Sequence, residues 1–197
     1  DTLDAGLALW RGDVEEARKA VEAGLNHVRE TDDVWFLAPL VWHGMRAEAE
    51  RAARARASFD EQDLRGAVDA AESLRARSLD IMRSGRQAGA LRAVVDAYDS
   101  LCEGEVRRTR GEPAAKVWRR AAETWGLLGQ PYPTAYAQWR CAEAELAVPK
   151  GAARAAPYLR AAYARSRARS SRNRVTGDAS MACSEGRVWG LTWPPGC

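Results

Sequence analysis

The sequence predicts an all-α fold of antiparallel helix pairs, and three observations carry that prediction. Ala and Arg dominate the 197 residues, with Glu and Leu behind them, whereas Ile occurs once (Ile81) and Phe twice (Phe36, Phe59). That balance favours helix over sheet. Apolar residues recur at three- and four-residue spacing in stretch after stretch, and none of the stretches alternates as a strand does. Glycine and proline fall mostly between the periodic stretches, where chain reversals belong. The length suffices for one good core or a short array of repeats.

The elements follow in order. Residues 2–10 place Leu3, Leu7 and Trp10 on one helical face, and Arg11-Gly12-Asp13 breaks the pattern. Asp13 is a strong N-cap, with Glu16 three residues on. The next helix runs over about 14–30, with Ala17, Val21, Leu25 and Val28 on one stripe. Helices joined by so few residues lie antiparallel. Thr31-Asp32-Asp33 caps a third helix, about 34–57, carrying Leu37, Leu40, Val41, Met45 and Ala49. A fourth follows Asp60, about 61–83, and ends at Ser84-Gly85; a fifth, about 87–109, carries Leu91, Val94, Val95, Tyr98, Leu101 and Cys102. Arg110-Gly111-Glu112 repeats the Arg-Gly-acid turn, and Pro113 suits the first position of a sixth helix, about 113–128. A seventh covers about 134–147. Pro149-Lys150-Gly151 makes a third turn before an eighth helix, which starts near 152–156 and contains Pro157.

After Ala164 the character changes. Residues 1–149 hold 21 Lys/Arg against 25 Asp/Glu, a net −4, whereas residues 150–174 hold eight Lys/Arg and no acid, a net +8. A helical body over 1–164 and a basic, then irregular, tail over 165–197 are therefore expected. Arg165, Arg167, Arg169, Arg172 and Arg174 are candidate phosphate contacts, since each arginine adds a salt-dependent, sequence-independent increment to nucleic-acid binding. The same run also reads as a disordered basic tail, or as the out-of-frame product of a GC-rich gene, which yields Arg, Ser, Gly, Pro, Trp and Cys often.

Catalytic signatures are not found. The sequence has neither a G-x-x-x-x-G-K-[ST] phosphate loop nor G-x-G-x-x-G. The two histidines, His27 and His43, form no H-E-x-x-H, and no Cys/His spacing suits zinc. His43 is a conceivable general base, but no G-x-S-x-G nucleophile accompanies it. Cys102 and Cys141 fall in helical patterns, where thiols pack as small hydrophobes, and no C-x-x-C pair occurs among the four cysteines. The longest apolar run, Val34–Trp42, is far short of the ~20 residues a membrane span needs. A non-enzymatic cytoplasmic chain without cofactor or metal is the resulting expectation.

The stretch Trp125-Gly126-Leu127-Leu128-Gly129-Gln130-Pro131-Tyr132-Pro133 carries the W-x-x-L-G-x-x-Y spacing that opens a tetratricopeptide repeat. The phase is wrong, because Glu145 then falls where the repeat packs an aromatic. Trp125 and Leu128 instead close the sixth helix, Gly129 is its C′ residue, and Pro133 begins the seventh.

Residues 121–144, with Trp125, Leu128, Gly129, Pro131, Tyr132, Tyr136, Trp139 and Arg140, resemble the C-terminal helical repeats of large LuxR-type transcriptional regulators of actinobacteria. Leu7–Arg18 is similar to the same region. The resemblance spans about 1–164. It implies a tetratricopeptide-like superhelical array of stacked helix pairs. In the parent regulator, an ATPase of the AAA or STAND type would precede it and a helix-turn-helix would follow; neither is present in this chain. It implies an interaction and effector-sensing role, with a protein, peptide or small inducer in the concave face. DNA would be reached through the absent parent domains or weakly through the basic tail. Trp35, Trp42, Tyr98 and Tyr132 are candidates to line that groove, or else belong to the inter-helix core.

Overall fold

The structure is a computed structural model and describes residues 1–27, 34–87 and 91–175. Among these residues the chain is all-helical, without strands: α1 (Thr2–Arg11), α2 (Val14–His27), α3 (Val34–Ser58), α4 (Glu61–Gln87), α5 (Arg92–Arg110), α6 (Ala115–Leu127), α7 (Pro131–Leu146) and α8 (Ala152–Val175). The expected cap at Thr31–Asp33 and everything beyond Val175, including Cys183 and Cys197, lie outside the described residues.

One turn design recurs between the helices. Gly12 has φ 76°, and Asp13 returns its N–H to the Ala8 carbonyl at 2.8 Å. Asp13 then accepts the Glu16 N–H at 3.0 Å, as an N-cap does. Gly111 repeats this with φ 74° and a Glu112 N–H to Arg107 carbonyl bond of 2.9 Å. Glycine suits both positions because a left-handed backbone costs any side-chain-bearing residue about 1–2 kcal/mol. Between α3 and α4 the same construction carries a phenylalanine: Phe59 has φ 58°, Asp60 donates to the Ala55 carbonyl at 2.9 Å, and the Asp60 side chain caps Asp63 at 2.9 Å.

Several boundaries depart from the sequence reading. Pro113 precedes the N-cap Ala114, so it is not the first residue of α6. Gly129 does take φ 66°, but α7 starts at Pro131, with Gln130 extended before it. Both prolines of Gln130-Pro131-Tyr132-Pro133 thus occupy the first turn, where backbone N–H groups have no intrahelical acceptor to lose. In the third turn the left-handed residue is Lys150 (φ 59°), not Gly151. Gly151 is needed for a different reason: a Cβ there would lie 1.6 Å from the Glu145 carbonyl oxygen. Helix α4 continues past Ser84-Gly85 to Gln87, and α8 continues past Ala164 through the arginine run to Val175. Pro157 is the sixth residue of α8.

Consecutive helices pack on one another throughout, except that the α4–α5 pair also shares α3, which touches α1, α2, α4 and α5. The main core joins Leu37, Leu40, Trp42 and Met45 of α3 to Met82 of α4, Tyr98 and Leu101 of α5, Trp118 and Trp125 of α6, and Tyr136 of α7. Alanines fill the close contacts. Gly104 of α5 makes room for Trp118 of α6, since a Cβ there would sit 2.6 Å from the Trp118 ring. A smaller cluster of Ala8, Val14, Ala17 and Ala47 closes the α1–α2 hairpin onto α3.

Candidate functional site

The four aromatic candidates do not line one exposed groove. Trp42 is 1% exposed and Tyr98 is 7% exposed, so both are core, whereas Trp35, near the start of α3, is 56% exposed. Tyr132, from the first turn of α7, is half-buried. Three of them do meet: the Trp42 ring lies 6.2 Å from Tyr98 and 6.3 Å from Tyr132. The helical stripe that carries Trp42 also carries Leu37, Val41 and Met45, and burying that stripe draws Trp42 inward with them.

Around Trp42 the structure assembles Arg46, Glu50, Glu105 and Arg108, which the sequence reading did not single out, with Tyr136 and Arg140, which it named only within the resemblance. Tyr136 packs edge-on to Trp42 at 5.5 Å and to Trp118 at 6.0 Å. Its hydroxyl donates to the fully buried Glu105 carboxylate and accepts from Arg140 Nε at 3.0 Å. Glu105 also receives Arg108 Nε at 3.0 Å. Glu50 of α3 takes Arg108 of α5 at 3.0 Å and Arg140 of α7 at 2.6 Å. Arg46 donates to the Tyr132 hydroxyl at 3.0 Å and lies 4.4 Å from the Tyr136 ring centroid and 5.1 Å from that of Trp42. This network ties α3, α5 and α7 through side chains that are far apart in sequence. One local signal for it existed: Glu105 falls on the Tyr98–Leu101 stripe of α5, where an acid must find a partner.

Electrostatics follow from the packing. Burial works against the Glu50 carboxylate, but the Arg108 and Arg140 guanidiniums outweigh it and bring the group down to about 2. Burial pushes Tyr98 and Tyr136 upward. It pushes the Cys102 thiol up to about 12 and Cys141 up to about 11, so both are protonated thiols at neutral pH. His43 is fully buried and stacks on Trp42 at 5.0 Å. Burial first, and the neighbouring Arg46 second, hold it well below its usual range, so it is a neutral packed imidazole. A general base needs access to a substrate proton, and His43 has no exposed surface.

A second feature is open. Helices α2, α3 and α4 enclose a cleft of about 600 Å³, lined by Arg18, Lys19, Val21, Glu22 and Leu25 of α2, Gly44 and Glu48 of α3, and Leu74 and Arg77 of α4. Glu48 is buried and receives Arg18 Nε at 2.7 Å.

The arginine run lies on the second half of α8. Arg165 and Arg167 are exposed, and the Arg167 guanidinium lies 5.8 Å from the Tyr163 ring centroid. Arg169, Arg172 and Arg174 follow along the same helix backbone. Among the described residues no group of three or more His, Cys, Asp or Glu can hold a metal ion, and no helix is long and apolar enough to cross a membrane. No family model matches the chain, and neither a curated protein nor a solved structure matches it.

Proposed function

We propose that the chain is an interaction and effector-sensing module of helical-repeat type, from a regulator of the LuxR type, with no catalytic role of its own. The observation that carries this reading is the recurrent left-handed turn at Gly12, Phe59 and Gly111, which folds helix back on helix along the chain. Chains built this way stack hairpins into arrays that present extended binding surfaces and act by what they bind. The tetratricopeptide-like superhelix, the cytoplasmic location and the parent regulator belong to this proposal. In such a parent, a ligand held better by one conformation of the array would shift the population of the attached domains.

The test is genetic. An in-frame deletion of the segment encoding residues 1–164 in the native organism is expected to change the level of a small, coherent set of transcripts. A transcriptome unchanged under every growth condition tried contradicts the proposal.

A second reading, nucleic-acid binding through Arg165–Arg174, draws support from the course of α8, whose helical spacing brings Arg165, Arg169 and Arg172 into register at i, i+4 and i+7. Binding to duplex DNA that falls steeply with salt and vanishes on deletion of 165–197 is the expected result. No binding above background at low salt rejects this reading.

A further inference from the structure

The cleft between α2, α3 and α4 has the size of a small-molecule site, which typically runs to roughly 300–1,000 Å³. Its floor is α3 at Gly44. A Cβ on Gly44 would lie 3.0 Å from both Val21 Cγ1 and Leu74 Cδ1, so the glycine lets these two side chains close in over α3 from either wall. Val21 and Leu25 on one wall and Leu74 on the other give the cleft an apolar middle.

Its charges divide into two sets. At the end nearest Glu48 they are committed to one another: Glu48 pairs with Arg18 at 2.7 Å and Arg51 at 3.3 Å, and Glu15 pairs with Arg18 at 3.0 Å. Lys19, Glu22 and Arg77 form no ion pair among the described residues. Arg77 Nη2 donates to the Leu25 carbonyl at 3.2 Å, which fixes the guanidinium beside the last turn of α2, and its other N–H groups have no partner among the described residues. Two uncommitted cations and one uncommitted carboxylate thus line the cleft, Lys19 and Glu22 on the α2 wall and Arg77 on the α4 wall. A guanidinium held at the edge of an apolar patch suits a carboxylate, which it can grip with two parallel hydrogen bonds.

We propose that this cleft binds a small monoanionic amphiphile, a carboxylate on an apolar body, with the carboxylate at Arg77 and Lys19 and the body over Val21, Gly44 and Leu74. The assignment rests on the reading of the chain as an effector-sensing module and names its class of effector.

Decanoate serves as the probe, with decanamide and decylamine as its neutral and cationic counterparts. Each is titrated into the full 197-residue chain by calorimetry, and the site is located by backbone amide NMR shifts. Decanoate is expected to bind at least tenfold more tightly than decanamide, with decylamine weaker still, and to shift the amides of Val21, Gly44 and Leu74. Arg77→Gln removes the preference for the acid, and Ser73→Trp, an exposed position on the cleft wall, blocks all three probes. Should Arg77→Gln fail to fold, the exposed Lys19→Gln is expected to weaken decanoate about threefold while leaving decanamide unchanged. Equal binding of acid and amide, shifts confined to other helices, or no binding by any probe overturns the assignment. Transcripts that respond to deletion while decanoate does not bind overturn the cleft assignment alone. A transcriptome that ignores deletion while decanoate binds at the cleft overturns the regulator reading alone.

Discussion

His43 shows how burial decides what a titratable residue can do. Its ring lies flat on Trp42 and has no exposed surface, so the native state resists protonating it. In the unfolded chain an ordinary histidine takes a proton near pH 6.5, whereas in the fold this one takes it only at much lower pH. Below pH 6.5 the unfolded chain therefore binds more protons than the native one. The stability His43 contributes is complete above pH 6.5 and declines as the pH falls below it, by at most about 1.4 kcal/mol per pH unit. Urea denaturation from pH 7 to pH 5 is expected to show this decline in the parent chain and a flatter profile in His43→Leu. An equal slope in both means His43 is not the group responsible. Cys102 obeys the same physics: a thiol raised to about 12 offers almost no thiolate at neutral pH, so it packs and does not react.

At the scale of elements, the turns and the inter-helix ion pairs can be perturbed separately. Phe59 holds a left-handed conformation that a phenylalanine adopts at a cost, and its side chain is 91% exposed, so it gains little from packing. Phe59→Gly is expected to raise stability by about 1 kcal/mol, the αL penalty less the entropy glycine adds to the unfolded chain. In a chain of this size that appears as a rise of roughly 2–4 °C in melting temperature. A lower melting temperature would show that Phe59 makes contacts that outweigh its backbone. Glu50 is the junction of α3, α5 and α7, and its carboxyl is brought from 4.5 down to about 2. A depressed carboxylate contributes stability above its unfolded pKa and loses it as the pH falls toward the folded value. The contribution therefore disappears between about pH 4.5 and pH 2. Glu50→Gln is expected to flatten the acid limb of the stability profile over that window, and an unaltered limb assigns the acid sensitivity elsewhere.

For the whole molecule, what could be read from the sequence was what is local. Helical spacing located the eight helices, and Gly12, Gly111 and Gly129 marked turns because a left-handed backbone favours glycine. The corresponding turns at Phe59 and Lys150 gave no such sign, since nothing in a phenylalanine or a lysine announces φ above zero. The reach of α8 past Ala164 was hidden because an arginine-rich segment has no apolar stripe, although arginine itself is a good helix former. The Glu50–Arg140 pair, 90 residues apart in the chain, exists only once α3 and α7 face each other. The same holds for the cleft, which three helices make together and whose charge balance depends on which ion pairs the fold commits. The proposal that the chain is a binding module of a LuxR-type regulator is tested most directly by reading the genomic DNA on both sides of the coding segment. An ATPase with a phosphate loop encoded upstream and a helix-turn-helix encoded downstream, in whatever frame, is the predicted result. Flanking DNA that encodes neither contradicts it.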